Sequence, residues 1–567
     1  MAIYRSDQAQ VTFSTESAQG GYLECASSVT DSGDAACTLD GAHEAGVTKL
    51  TVASLTSQEA TDILNKYIQI GPEVSGSGTT RESEIRKVVH VDSTTTLHLD
   101  APTGFYHETG KNIQTVSAVT SVSTDVYIDQ IPGVYDTIDC PDPEMTIEPR
   151  YFLGSQSKRN FYSAYKGIQN FVGSIGGFIL LNGRALRYPI GKVVTHTTQQ
   201  AAFSTATLLA AAAKKGDVYV NIDSASTLGI AANELLVFDY TASPVSTSKM
   251  EIRKVISGAV SSGTTATLKL DYPLQFAHDD NTVLRKVTSS PKYTHHIFET
   301  VDLDTVTWHV HMRDSSETST NDFDRRYYGG MIGSASLSAD EGGMLNMSWD
   351  GVNFMGMVHN QATSTFSGRQ VDSAGNAIGA LATPMSTLMQ TIDSDDVSFP
   401  TDDPYFFSQG SVTIFGQEVA RIRSFSLTVS NGEEPRYYVT RRHGNRGPSE
   451  IRENRREYTC GMTLALPDSQ ATDATGTTLF KELLLEGNYG EGMEGFNITL
   501  TFTRGTDDTI TINIPDDSDA ERGGNSQGAF IRSAAHNITG DNPVQVDADI
   551  LFRNIKIEIQ DELYYYP

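Results

Sequence analysis

Side chains able to do chemistry are thinly spread along this 567-residue chain. His309 and His311 stand two apart on an expected strand, so both face one side, with His295-His296 close by. Such a pair can hold zinc, but no cysteine or carboxylate at ligand spacing completes the site, and strand histidines with a structural role are expected. Asp516-Asp517-Ser518-Asp519 is acidic enough for calcium yet lacks the spaced ligands of an EF-hand loop. Gly173-Ser174-Ile175-Gly176-Gly177 and Asn182-Gly183-Arg184 match neither phosphate-loop nor dinucleotide fingerprints. Gly524-Asn525-Ser526-Gln527-Gly528 has the form of a nucleophile elbow. An elbow needs an apolar strand running straight into the turn, and here the polar run DDSDAERG precedes it. No catalytic, cofactor or metal site is expected, and the chain reads as a non-enzyme. The chemistry that remains is ionic recognition. Arg436, Arg441, Arg442, Arg446, Arg452, Arg455 and Arg456, with His443, crowd into one segment that Gly444, Gly447 and Pro448 place on a long loop.

That basic segment belongs to an acidic protein: 42 Lys+Arg against 70 Asp+Glu, net −28. Such a surface repels phosphate and argues against tight binding along a nucleic-acid backbone. The acidity and the scarcity of lysine beside arginine fit adaptation to high salt, where the screening length falls to roughly 3 Å at 1 M; an ordinary acidic protein is the other reading. Cys25 and Cys37 are close enough in sequence to bridge, but with Cys140 and Cys460 they make no disulfide framework for so long a chain, and free thiols are expected. The opening MAIYRSDQAQVTFSTES has no basic start and apolar run, and no stretch approaches a membrane span. The expectation is a protein kept soluble, without an export signal.

The elements that carry these residues are mostly strands. An internal repeat is the clearest signal. One copy, about Gly46–Val116, contains VTKLTVASL, KYIQIGP, ESEIRKVVHV and TTTLHLDAPTGFYHETG; the other, about Gly216–Val287, contains GDVYVNIDS, ELLVFDY, KMEIRKVISG and TATLKLDYPLQFAHDD. Glu84-Ile85-Arg86-Lys87 matches Glu251-Ile252-Arg253-Lys254, and His107 and His278 each follow their aspartate, Asp100 or Asp271, at the same spacing. Both histidines follow proline-containing turns, where hydrogen bonds to a loop are expected. Each copy alternates apolar and polar residues in short runs, predicting a small β-barrel-like module of five or six strands. Outside them, Leu337 and Leu345, Met347 and Trp349 flank Asp340-Glu341-Gly342-Gly343 as a hairpin. Strands are expected around Phe425, Met462, Ile498, Ile512 and Ile557, a loop over 361–404 with a short helix near Pro384–Thr391, and a helix over Thr478–Glu486. The layout is a discontinuous host domain (1–45, 118–199 and 292–567) with modules inserted at 46–117 and 200–291.

The host segments resemble the major tail tube proteins of tailed phages and tailed archaeal viruses of the long-tailed type. GSIGGFILLNGRALRYPIGKV, GGMIGSASLSADEGGMLNMSWDGV, PYFFSQGSVTIFGQEVARIRSFSLTVSNGEEPRYYV and the closing REYTCGMTLAL…FNITLTF…ITINIP…VQVDADILFRNIKIEIQD carry the likeness. The resemblance implies a mainly β, tail-tube-like sandwich or barrel flanked by one or two helices, with the inserted modules on the outside. It implies a virion protein, assembled in the host cytoplasm, that forms stacked hexameric rings and meets terminator, distal tail or baseplate and tape-measure proteins. The viral DNA would pass through the lumen without tight binding, and no membrane is involved. On this reading the seven arginines are candidate inter-subunit contacts, because the guanidinium fork binds carboxylates bidentately. A solvated loop paired within its own subunit and direct DNA binding are the other readings of that segment. Other readings of the whole chain are a hub, terminator or distal ring of related fold, or a surface adhesin or carbohydrate-active β protein.

Overall fold

A computed structural model describes residues 9–23, 26–71, 83–122, 130–151, 163–203, 208–223, 230–258, 265–289, 292–312, 323–359, 402–414, 416–419, 421–438, 446–465, 496–516, 528–538 and 544–566. The expected helix at Thr478–Glu486, the helix near Pro384–Thr391 and most of the 361–404 loop lie outside these residues. The protein is mainly β, as its alternating apolar pattern requires.

Among the described residues a nine-stranded antiparallel sheet, here the wall, runs in the order Ala529–Asn537, Gln545–Phe552, Glu457–Ala465, Ile422–Ser430, Ser334–Asp340, Asn346–Asn353, Ser163–Ile179 and Val134–Asp139, with Pro143–Arg150 also paired to Ser163–Ile179. Ser334–Asp340 and Asn346–Asn353 are the hairpin expected around Asp340–Gly343. A seven-stranded sheet, the back, orders Gly191–His196, Tyr293–Glu299, Lys556–Asp561, Asp508–Ile514, Ile498–Arg504, Gly410–Ile414 and Gln417–Glu418. Leu337, Leu427, Met462 and Ile550 from the wall share one buried cluster with Leu500, Ile512 and Ile557 from the back. This is a β-sandwich, closed by the burial of apolar area at about 25 cal/mol per Å².

A four-stranded sheet, ordered Ala9–Thr15, Val306–Met312, Phe323–Gly330 and Gly356–His359, flanks the sandwich. It joins the core through an aromatic knot. The Trp349 ring lies 5.5 Å from Phe13, 5.6 Å from Phe178, 5.9 Å from Tyr188 and 6.3 Å from Trp308. Tyr188 belongs to the short buried helix Arg184–Ile190, which ends at Gly191. A Cβ there would meet Thr300 Oγ1 at 2.4 Å with φ at +140°, so glycine alone lets the chain turn into the back sheet. His309 and His311 are buried in the flanking sheet. Just beyond strand Ala9–Thr15, the buried Glu16 carboxylate accepts from Gly20 N, Gly329 N, Thr305 Oγ1 and Thr307 Oγ1 at 2.6–2.8 Å. Burial still leaves its carboxyl above the ordinary range despite these donors.

The two repeats form six-stranded sheets of matching order. The first runs Ala26–Thr38, Asn112–Val122, Tyr67–Ile70, Glu84–Ser93, Thr96–Leu99, Lys49–Thr51; the second runs Gln200–Ala202, Leu284–Val287, Leu235–Phe238, Glu251–Gly258, Thr265–Leu270, Tyr219–Asp223. The first sheet takes in Ala26–Thr38, ahead of Gly46, where the residues ASSVTDSGDAACT show no apolar alternation to mark a strand. Bridges Leu39–Val52 and Leu209–Ile222 curl each path toward closure. Cys37 carries a free thiol, and Cys25 lies outside the described residues.

The knot gives a direct test. Trp349→Ala should lower unfolding stability by about 3–5 kcal/mol, the usual cost of truncating a buried aromatic, measured by denaturant titration. A loss under about 1 kcal/mol would show that the knot does not hold the flanking sheet.

Candidate assembly and channel surface

Strand alternation gives the wall two unlike faces. One is the apolar face just described. On the other, register sets Asn346, Ser338, Ser426, Gly461, Asp549 and Ser533 side by side across six strands. The adjacent row is Ser348, Ser336, Thr428, Thr459, Leu551 and Phe530. Ser336 Oγ and Ser348 Oγ are 2.8 Å apart, and Thr463 Oγ1 donates to Asp547 Oδ1 at 2.8 Å. Two arginines border this face, and both are paired: Arg532 with Asp549 at 2.7 Å and Arg423 with Glu341 at 3.0 Å. The result is a sheet face of short hydroxyls and carboxylates that turns apolar at Leu551 and the exposed Phe530 near its edge, and which offers phosphate little cationic hold.

Among the described residues, the strands at the two ends of the wall have a neighbour on one side only over part of their length. Ala529 is bridged to Phe496, and from Arg532 to Asn537 the described residues supply one strand partner, Gln545–Phe552. At the opposite end, Pro143–Arg150 and the first half of Ser163–Ile179 form a two-stranded arm. Nearly every residue of Pro143–Arg150 is exposed, and Ile147, Tyr165 and Ile168 are apolar side chains 62%, 50% and 45% exposed. A lone two-stranded ribbon with water on both faces is marginal, and an open strand edge is a template for another strand.

The arginine segment sits beside this arm. Glu434–Arg436 and Glu450–Arg452 pair as a hairpin that delimits the expected loop. Gln169 N donates to Arg446 O at 3.0 Å, and Tyr437 Oη bonds Asn170, so hairpin and arm share one surface. The seven arginines separate into kinds. Arg441 and Arg442 lie outside the described residues, as does His443. Arg446 and Arg455 are exposed. Arg436 pairs with Glu434 at 2.8 Å and Arg452 with Glu450 at 3.3 Å, both on the surface. Arg456 turns inward: Nε donates to Asn431 Oδ1 at 2.8 Å, and a second nitrogen reaches Ile190 O at 3.2 Å. It serves its own subunit, closing the turn at Asn431-Gly432 against the buried helix.

At the foot of the hairpin stands Glu433. Its carboxylate accepts from Asn353 N at 3.2 Å and from the Asn353 amide. Burial, against those hydrogen bonds and helped by Glu453, pushes its carboxyl up to about 8.

A family model described as phage tail tube protein matches residues 202–553, more than half of the chain. The chain belongs to the phage tail tube protein family. It is therefore a structural component of a virion tail. The tail tube match takes in nearly all of the second module, the six wall strands from Ser334 to Phe552 and most of the back sheet, while the arm and the first module precede it. No curated protein matches the chain. Among the described residues no helix is long and apolar enough to cross a membrane, and no group of three His, Cys, Asp or Glu is arranged to hold a metal ion.

Reading the sequence found the arginines and missed the arm and the wall edge. Their signal is negative: DTIDCPDPEMTIEPR and AFIRSAAHN lack the strict apolar alternation of the inner strands, because few of their residues are buried. Glu433 was missed because burial of an acid depends on distant residues.

Glu433 predicts a pH dependence. Its carboxyl ionises near 4.5 in an unfolded chain and near 8 here. Between those values the folded chain holds the extra proton, so stability falls as pH rises through this window and levels off above it. Glu433→Gln should remove that slope, giving a larger gain in melting temperature at pH 8 than at pH 5. Equal melting shifts at both values would contradict the assignment.

Proposed function

We propose that the chain polymerises into stacked rings, six copies to a ring, whose wall sheets join edge to edge as one barrel around a channel for the viral genome. The observation that carries this reading is the wall itself, which among the described residues ends on either side in a strand with one neighbour and carries hydroxyls and carboxylates on its solvent face. The Arg532–Asn537 edge of one copy would pair with the Val134–Asp139 side or the arm of the next. Obligate interfaces of this type bury about 2,000–5,000 Å², enough for hydrophobic burial to exceed the cost of association. The hydroxyl and acid face would then line the lumen, and phosphate would slide past it. The two modules pack away from that face: Met250 and Ile252 against Val194 and Phe298 of the back sheet, and Ala101 beside Tyr328 of the flanking sheet and Met355 just before its strand Gly356–His359. They accordingly read as insertions into a discontinuous host, displayed on the tube exterior.

Net charge of −28 per copy opposes stacking, so rings must meet through local opposites or in screening salt. The exposed arginines beside the arm are the contacts we assign to that role, on acidic surfaces of a neighbouring copy or ring; Arg456 is excluded because its bonds lie within its own subunit. Terminator, distal and tape-measure proteins would meet the tube at its ends and in its lumen.

Negative-stain microscopy of purified protein at low and at multimolar salt should show tubes with a regular ring spacing. Single closed rings would instead favour a hub, terminator or distal ring. Replacing Arg441, Arg442 and Arg446 together by serine should shorten or abolish tubes without changing the melting temperature of the unassembled chain; unchanged tubes would reject the arginine assignment.

A further inference from the structure

The modules share more than their strand order. In the first, Glu84 accepts from Gly104 N at 2.8 Å, from His107 Nε2 at 2.6 Å and from Arg86 at 2.7 Å. In the second, Glu251 accepts from Gln275 N at 2.9 Å, from His278 Nε2 at 2.7 Å and from Arg253 at 2.6 Å. Arg86 Nε donates to Pro102 O and Arg253 Nε to Pro273 O, at 2.8 and 3.2 Å. All six side chains are buried. A buried ion pair is weak evidence of stabilisation, since dehydrating both charges offsets most of their attraction. Its occurrence in both copies needs another reason.

That reason lies on the free face of each guanidinium. A tyrosine ring from outside the module covers it: Tyr22 over Arg86 and Tyr565 over Arg253, each with the guanidinium carbon 3.9 Å from the ring centroid. These tyrosines occupy unrelated places in the chain. Tyr22 lies shortly before its module, whereas Tyr565 lies beyond the last back-sheet strand, nearly three hundred residues after its own. The segment around Tyr565 acts as a strap. Tyr564 Oη donates to Asp271 Oδ2 of the module at 2.5 Å, while Tyr566 O accepts from Arg187 of the host at 2.6 Å and its ring stacks on His295 at 3.7 Å.

We propose that the Arg–Glu–His set is a docking socket for a tyrosine side chain, and that each module is fastened by a tyrosine-bearing extended segment: the stretch around Tyr22 for the first, and Leu563–Tyr566 for the second. The glutamate and histidine hold the guanidinium flat and edge-on, and arginine presents the delocalised plane that stacks on an aromatic ring. Because the two segments reach their sockets from different directions along the chain, the socket selects the side chain rather than the connection. An emptied socket is therefore expected to accept such a segment from a separate molecule. None of this depends on ring formation.

The test uses the chain stopped after Asp561, titrated calorimetrically with the peptide ELYYYP, which repeats residues 562–567. One peptide should bind per chain. The peptide carrying Tyr565→Phe should bind within about threefold, since the ring makes the contact, and that carrying Tyr565→Ala at least tenfold more weakly. Arg253→Lys in the shortened chain should abolish this preference. In the full-length chain, Tyr565→Ala should speed amide exchange across 251–258 and 563–566 by about tenfold, whether or not the shortened chain folds. Equal binding of the Tyr565→Ala peptide, or unchanged exchange in full-length Tyr565→Ala, would overturn the proposal.

Discussion

A sheet that ends in an unpaired strand must find a partner for its backbone, hide that edge or remain a hazard. This constraint organises the molecule. The central strands of the wall bury one face against the back sheet, so they cannot slip by a residue without turning apolar side chains into water. Their register is consequently rigid, and the end strands pair onto that fixed frame. A rigid sheet with two defined ends can be continued by identical neighbours turned by a constant angle, which is how such a surface closes into a ring. The hydroxyl and acid rows follow from the same alternation: once Leu337, Leu427 and Met462 face inward, Ser336, Ser338, Ser426 and Thr428 must face out.

The modules obey a different rule. Each has its own apolar cluster, with Leu97, Leu99 and Ile113 in one and Leu268, Leu270 and Leu284 in the other, so the core of the sandwich does not fasten them. They attach through apolar clusters of their own, to which the buried charged sets add a second contact. Guanidinium, carboxylate and imidazole satisfy one another and leave one planar surface for an aromatic ring. A contact of that sort specifies orientation better than it adds stability. Between the modules, Tyr106 N reaches Gly216 O at 3.4 Å, and Phe105 and Val218 share a small buried cluster with Leu23, so the pair meets rather than standing apart.

Much of the architecture was legible because it is periodic. The Leu337–Trp349 hairpin, the Ile510–Ile514 strand and the matched ElRK tetrads announce themselves at a spacing of two. What was not legible depends on distant partners. His107 was expected to bond a loop, and its backbone does so at His43, but its imidazole meets Glu84 at the start of strand Glu84–Ser93, and Glu84 in turn pairs with Arg86. Strand Ala26–Thr38 carries no apolar rhythm and is identified only by its pairing to Asn112–Val122. The arginine segment was visible as a cluster of charge, but the division between exposed Arg446 and inward Arg456 required the turn at Asn431 to be seen folded. Membership of the tail tube family rests on the family-model match over residues 202–553.

The central claim is that the wall edge is completed by a sister molecule, and backbone amide exchange reads that edge directly. Exchange at the amides of Arg532–Asn537 that point away from Gln545–Phe552 should be fast in the dispersed chain and slow by orders of magnitude in assembled tubes, while the interior strand Ile422–Ser430 stays protected in both. An edge already protected in the dispersed chain, or equally fast in both states, would contradict the account.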